Sequence, residues 1–151
     1  MISPIDFPTE AWTDRVISSI KSDTTKLHLD HTRISAIGWM MRHPCGSTLA
    51  WQRKVNRLGD AHRLADQLRA LAEWLTRSYP DQAAAYMLLS EGYVQEAKNA
   101  YREDEEPVTE QWERKALDAT RHAATLEPDN DEARSLVKNR RARLDKLASG
   151  Q

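Results

Sequence analysis

The feature that most constrains this sequence is a break that occurs twice, at Pro80-Asp81 and at Pro128-Asp129. On both sides of each break, apolar residues recur at spacings of three and four, which is the period of an amphipathic α-helix. No segment shows the alternation of apolar and polar residues that predicts a β-strand. Tight turns are also scarce, because the 151 residues include only 5 Gly and 6 Pro. The sequence therefore predicts an all-α protein of about seven helices.

Interruptions of this periodicity set the predicted boundaries of the helices. A turn at Gly59-Asp60 is expected between the third and fourth helices, with Asp60 as the N-cap. Pro107 suits the first turn of the sixth helix, because its missing N–H would be unpaired there. The last helix is predicted from about Asp131 to Leu147. We expect one compact domain, in which residues 1–47 form an N-terminal helical cap or arm and residues 48–151 form a repeat region.

The spacing of the two breaks is typical of helical repeats, and residues 80–128 resemble a tetratricopeptide (TPR) repeat. The resemblance depends on large residues in the first helix, small residues in the second and a closing proline. These positions are Tyr86, Leu89, Ser90, Tyr93, Ala116, Ala123 and Pro128. The segment is longer than the family's 34 residues, through an insertion near residues 94–111. The resemblance implies a short TPR-like antiparallel helical array (an α-α solenoid), with one good repeat, degenerate flanking units and a polar last helix.

The TPR resemblance implies a non-catalytic scaffold or adaptor that binds a peptide or helix of a partner protein. Binding would take place in the concave groove lined by the first helix of each repeat. The predicted groove residues are Ala84, Met87, Glu91, Val94, Gln95 and Lys98. Met87 and Val94 suit an apolar anchor of the partner. Met87 and Glu91 stand where some TPR proteins place donors to a terminal carboxylate, so clamping of that type is not expected.

Two alternatives remain open at this point. The first is an oligomerisation domain that acts through the N-terminal helices, where Trp39 and Trp12 favour an exposed apolar patch. The second is a metal-binding helical protein, whose candidate ligands are His28, His31, His43 and Cys45. These four residues match no metal motif with fixed spacing, such as Cys-x-x-Cys or His-Glu-x-x-His. We therefore favour the interaction module over a metal protein, and we expect it to contain neither a metal nor a cofactor.

Charge and motifs argue against other classes of function. No nucleophile elbow and no glycine-rich phosphate loop is present, and nothing in the sequence poises Glu91 or Glu96 as an acid or base. The predicted last helix carries a stripe of six cations: Arg134, Lys138, Arg140, Arg141, Arg143 and Lys146. This stripe lacks stacking aromatics, and the net charge is -1, so nucleic acid is not the expected partner. A solvated face or pairing with the acidic run at residues 103–106 explains it.

The N-terminus determines the expected compartment. It has neither the basic region nor the apolar region of a secretory signal. Apolar runs are far shorter than the ~20 residues of a membrane span. The sequence therefore predicts a soluble, cytoplasmic protein.

Overall fold

A computed structural model describes residues 46–150, together with residues 18, 34, 38 and 39. Between residues 46 and 150 the chain is helical and contains no strand, which confirms the all-α class. The helices are α1 (Gly46–Lys54), α2 (Leu58–Ser78), α3 (Ala83–Arg102), α4 (Glu106–Leu126) and α5 (Asp131–Ala148). The first two predicted helices lie outside the described residues, apart from the four single positions, which are helical.

Short connections make successive helices pack against each other. The connections at residues 79–82, 103–105 and 127–130 are too short to cross the molecule, so α2 to α5 alternate in direction. Neighbours in sequence make the main contacts, and α1 also touches α3. Helix α3 therefore lies between α2 and α4, with α1 beside it.

The break between α1 and α2 lies at residues 55–57, not at Gly59-Asp60 as predicted. Asn56 has a left-handed φ of 62°, and Asn is one of the few residues that tolerates this conformation. Gly59 and Asp60 instead belong to the first turn of α2, where Asp60 forms ion pairs with Arg57 and Arg63. A carboxylate is favourable there because the helix dipole places partial positive charge at the N-terminus.

The boundaries of the last two helices agree with the prediction. Pro107 lies in the first turn of α4. Asn130 is the N-cap of α5, and its side chain accepts a hydrogen bond of 3.0 Å from the backbone N–H of Ala133. Helix α5 ends at Ala148. These starts were predictable because proline and a capping side chain act within one turn of the chain.

The main core lies between α2 and α3. Helix α2 buries an apolar stripe in this core, whose members are Leu64, Leu68, Leu71, Ala72 and Leu75. From α3 the same core receives Ala84, Ala85, Leu88 and Leu89. Ile34, which is helical and fully buried, also belongs to this core. A smaller cluster joins Ala83 and Met87 to Ala123 of α4 and Ala133 of α5.

The positions that carry the TPR resemblance are mostly packing positions. Leu89, Ser90, Ala116 and Ala123 are buried, Tyr86 and Tyr93 are half-buried, and Pro128 is exposed in the turn before α5. Two of them also make aromatic contacts between α3 and α4. The Tyr93 ring stacks on Trp112 with centroids 5.7 Å apart, and Tyr86 meets His122 at 4.1 Å. Helices α3 and α4 are therefore a tightly packed pair.

Gly92 allows α2 and α3 to approach closely. A Cβ atom built at this position would lie 3.1 Å from the Cα of Arg69. The neighbouring atom belongs to a helix backbone, so it cannot swing away as the end of a long side chain would. Contact of this kind explains a glycine in the middle of a helix, where glycine otherwise costs about 1 kcal/mol relative to alanine.

We expect Gly92→Leu to lower the free energy of unfolding by about 1–3 kcal/mol through overpacking. Gly59→Leu is the matched control, because a Cβ there would meet only the flexible end of Arg63, at 3.9 Å. The control should be neutral or stabilising by up to about 1 kcal/mol, since leucine is the better helix former. Urea denaturation followed by circular dichroism measures both. Equal effects at the two positions would contradict the close approach.

Candidate functional site

The structure places the six predicted groove residues in different environments. Met87 and Val94 are only 8% and 2% exposed, and Ala84 and Gln95 are buried as well. Glu91 is half-buried, and Lys98 is exposed. The two predicted apolar anchors are therefore unavailable to a partner, which corrects the predicted groove. The physical reason is that α3 has helices on several sides, so much of its surface is interior.

A buried polar seam connects α1 to α3. The guanidinium of Arg53 donates to Asn99 Oδ1 at 2.9 Å and to Gln95 Oε1 at 3.0 Å. Asn99 is fully buried, and its amide donates to the backbone carbonyl of Ala61 in α2 at 3.0 Å. Burial lowers the pKa of Arg53. The two side-chain acceptors are neutral amides, so they orient this cation without neutralising it.

The same seam continues to α5 through Arg140. Arg140 Nε donates to Ser90 Oγ at 3.0 Å, and its Nη2 lies 3.5 Å from Glu91 Oε2. Gln95 donates to the other Glu91 oxygen at 3.0 Å, which joins the two ends of the seam. Burial lowers the pKa of Arg140, while Glu91 acts in the opposite direction. We call Arg53, Ser90, Glu91, Gln95, Asn99 and Arg140 the polar seam.

The cations of the last helix divide into two groups. Arg134, Lys138, Arg141 and Lys146 are exposed, which agrees with a solvated face. Arg140 is buried and Arg143 is half-buried, with Arg143 Nη1 at 3.3 Å from Glu113 Oε1. Burial raises the pKa of the Glu113 carboxyl, and Arg143 opposes that shift. Two cations of the predicted stripe therefore face the protein rather than solvent.

A basic cavity of about 380 Å³ opens where α1 and α3 meet. Its lining residues are Ala50, Arg53, Lys54, Lys98, Tyr101 and Arg102. Four of these residues are cations: Arg53, Lys54, Lys98 and Arg102. Among the residues that the structure describes, no carboxylate lies within ion-pair distance of any of them. By contrast, Arg69 of α2 and Arg143 of α5 each have a carboxylate partner. The cavity thus concentrates positive charge, and the described carboxylate that acts on it, Glu91, offsets only part of the charge at Lys98.

The pKa of Lys98 reflects the positive charge that is concentrated around this cavity. Although the side chain of Lys98 is exposed overall, partial desolvation by the surrounding protein lowers its pKa, and Arg143, Arg53 and Arg140 lower it further by repulsion. Glu91 acts in the opposite direction but does not reverse the shift. An anion bound beside Lys98 would relieve this repulsion.

Tyr101 separates the basic cavity from a second cavity of about 550 Å³. Its side chain is 67% exposed, the largest exposure of a big apolar residue in the described part of the chain. The second cavity is lined by Tyr101, Arg102, Asp104, Glu106, Leu147 and Gly150. Asp104 has a φ of 59°, so the chain turns sharply at the acidic run. The two cavities share Tyr101 and Arg102, and the second one adds the carboxylates of Asp104 and Glu106.

A carboxyl group in the α2–α3 interface has a strongly shifted pKa. Glu96 is 6% exposed, and burial together with Asp66 raises its pKa to about 8, although Arg69 opposes the shift. Its buried Oε1 atom has no hydrogen-bond partner among the described residues. A proton held between Glu96 and Asp66 satisfies that oxygen. Neither of the two cavities described above is lined by Glu96, and we assign this carboxyl a structural role.

Five residues of the basic cavity are absent from the predicted groove: Ala50, Arg53, Lys54, Tyr101 and Arg102. One signal for them was present in the sequence, because Lys98 and Arg102 are four residues apart and share a helix face. The other signal is the pair of cations that ends α1. Nothing local indicates that these two helix ends meet, since that contact joins residues more than forty positions apart in the chain.

The candidate metal ligands His28, His31, His43 and Cys45 lie outside the described residues, so the metal alternative is untested. Within the described residues, no group of three or more potential ligand side chains is placed to hold a metal ion. The oligomerisation alternative also falls mainly outside them, although Trp39 is helical and 58% exposed. No helix in the described part of the chain has the length and apolar character needed to cross a membrane.

Comparison with known proteins gives no assignment. No protein-family model, curated protein or solved structure matches this chain. Function must therefore be inferred from the chemistry of the site rather than from relatives.

Proposed function

We propose that this chain is a non-catalytic interaction module that binds an anionic segment of a partner protein in the basic cavity. The observation that carries the proposal is that four cations line one cavity, and no carboxylate of the described residues lies within ion-pair distance of them. Charged side chains on a protein surface tend to lie near opposite charges, and a cluster of one sign attracts a ligand of the other. The polar seam supports this role, because it holds Arg53 in one orientation before any ligand arrives.

We further propose that the helices form a short TPR-like array. Two features support this proposal: the paired packing of α3 and α4, and the small residues Ala116 and Ala123 that allow it. In such an array α1, α3 and α5 would be the helices that line the binding face. The polar seam joins these three helices, through Arg53 and Arg140. The ligand would then contact mainly α1 and α3, with α5 at the border.

The proposal is tested by measuring binding of an acidic peptide with fluorescence anisotropy. A peptide rich in Glu and Asp should bind, and its amide counterpart rich in Gln and Asn should not. The variants Lys98→Glu and Arg102→Glu should each weaken binding by about tenfold or more, since hydrogen bonds to charged groups contribute about 1.5–3 kcal/mol. Added salt should weaken binding as well, because the charges are partly exposed.

Arg141→Glu provides the matched control for these variants. It makes the same change of charge at an exposed position of α5 that does not line the cavity. Its binding should stay within about twofold of that of the parent chain. If all three variants weaken binding equally, the effect comes from net charge and the basic cavity is not the site.

A further inference from the structure

The charge of the basic cavity exceeds what one carboxylate neutralises. Four cations surround a space of about 380 Å³, and two of them, Arg53 and Arg102, carry guanidinium groups. A guanidinium presents several N–H donors in one plane, which suits the oxygens of a phosphate. A phosphorylated side chain carries about −1.5 to −2 charges and three strong acceptor oxygens. This group matches the number of cations that line the cavity better than a single Glu or Asp does.

The polar seam prepares one of these donors for an anion. Arg53 uses two N–H groups on the neutral amide oxygens of Gln95 and Asn99, at 3.0 and 2.9 Å. These two bonds fix its position, and because both acceptors are neutral they leave its positive charge uncancelled at the edge of the cavity. Fixing a side chain in advance reduces the entropy lost on binding. Lys54, Lys98 and Arg102 are exposed, so they can adjust around a bound group.

The carboxylates of the second cavity limit what kind of anion can bind in the basic cavity. Asp104 and Glu106 line the second cavity, which shares Tyr101 and Arg102 with the basic cavity. A continuous polyanion that extended from the basic cavity into the second cavity would place its next charges against these two carboxylates. A single compact anion avoids that repulsion, and a cation beside it in the ligand would be attracted. A nucleic-acid backbone is therefore a poorer match than a protein segment with one phosphate.

We propose that the ligand of the basic cavity is a phosphorylated side chain in a partner protein, with a basic residue beside it that faces Asp104 and Glu106. This inference rests on the proposed function, because it specifies the anionic segment that the cavity binds. Tyr101 would lie under the backbone of the segment between the two charges. Phosphorylation of the partner would then control its binding to this chain.

The test compares peptides of one sequence that carry phosphothreonine, phosphotyrosine, Glu or Thr at a central position, each with Lys or with Glu nearby. Binding to the full chain is measured by isothermal titration calorimetry. A phosphopeptide with Lys should bind at least about tenfold more tightly than the Glu peptide with Lys. Replacing the Lys by Glu should weaken the phosphopeptide, and the variant Glu106→Lys should reverse that preference.

Variants separate the cavity from general charge effects. Arg102→Gln and Lys54→Gln should each remove most of the advantage of phosphate over Glu, while Arg141→Gln should not. Circular dichroism of each variant shows whether the helices are retained. Because Lys54 and Arg102 are both exposed, at least one of these variants is expected to fold.

The outcomes distinguish the two proposals. Equal binding of the phosphorylated and Glu peptides would overturn the phosphate inference and leave the proposed function standing. If no acidic or phosphorylated peptide binds, both are overturned. If single-stranded DNA binds as tightly as the best phosphopeptide, the inference is overturned in favour of a nucleic-acid ligand.

Discussion

The variant Glu96→Gln should be more stable than the parent chain at pH 8 and above, and should match it near pH 4. Glu96 is buried between α2 and α3, and burial and Asp66 raise its pKa from 4.5 to about 8. The unfolded chain releases this proton near pH 4.5, while the folded chain keeps it until about pH 8. Between these values the folded state binds more protons, so the stability of the parent chain falls as the pH rises.

A glutamine at position 96 avoids this loss because it does not ionise. Its amide can donate a hydrogen bond to Asp66, as the protonated carboxyl does. The difference in the free energy of unfolding between the two chains should therefore grow through the window and reach about 2–4 kcal/mol above pH 8. Asp66 and Glu73 oppose ionisation of Glu96 and Arg69 favours it, so the transition belongs to this group of side chains rather than to one residue.

Thermal unfolding at a series of pH values measures this effect. Glu132→Gln serves as the control, because Glu132 is exposed in the first turn of α5. Its unfolding temperature should run parallel to that of the parent chain between pH 5 and pH 9, with only a small constant offset from the loss of a carboxylate in the first turn of α5. If Glu96→Gln shows a pH profile parallel to that of the parent chain, Glu96 does not retain its proton in the folded state.

The second large effect is expected for Arg140→Ala, which should lower the free energy of unfolding by about 3 kcal/mol. Arg140 is buried, and its guanidinium donates to Ser90 and lies beside Glu91. Removing it leaves the fully buried Ser90 hydroxyl without that hydrogen bond and Glu91 without its cation. The loss of an oppositely charged partner from a buried site costs more than the pair itself contributes.

Arg141→Ala is the matched control for this prediction, because it changes the adjacent residue in the same way. Arg141 is exposed, so its truncation should change the free energy of unfolding by less than about 0.5 kcal/mol. Urea denaturation followed by circular dichroism compares the two variants. Similar midpoints for both would show that Arg140 does not hold α5 against α3.

The helices themselves could be predicted because their signals are local. The apolar stripe of α2 repeats at three and four residues, and a capping side chain or a proline marks the start of α4 and of α5. One local signal was misread, since Gly59-Asp60 looked like a turn and lies within α2. Asn56, three residues before Gly59, takes a left-handed conformation within the connection between α1 and α2. Both segments are compatible with a turn, and only packing selects between them.

The candidate site was predicted less well, for a different reason. Lys98 was correctly placed on an exposed face of α3, but Met87 and Val94 were assigned to the same accessible surface and are buried. A helix that is apolar on a broad face gives no local indication of which part a neighbour will cover. Arg140 shows the same limit, because its neighbours in sequence are also cations and only its contact with Ser90 distinguishes it.

The site that we propose lies at the ends of α1 and α3. It is lined by four cations that have no carboxylate partner among the described residues. The sequence by itself determined the helical class, most of the helix boundaries and the packing character of residues such as Ala116 and Ala123. These depend on interactions within a few turns of the chain. Tertiary structure alone decided that Arg53 and Lys54 of α1 meet Lys98 and Arg102 of α3. The charge of that cavity arises from residues distant in sequence, and electrostatic repulsion depends on their separation in space.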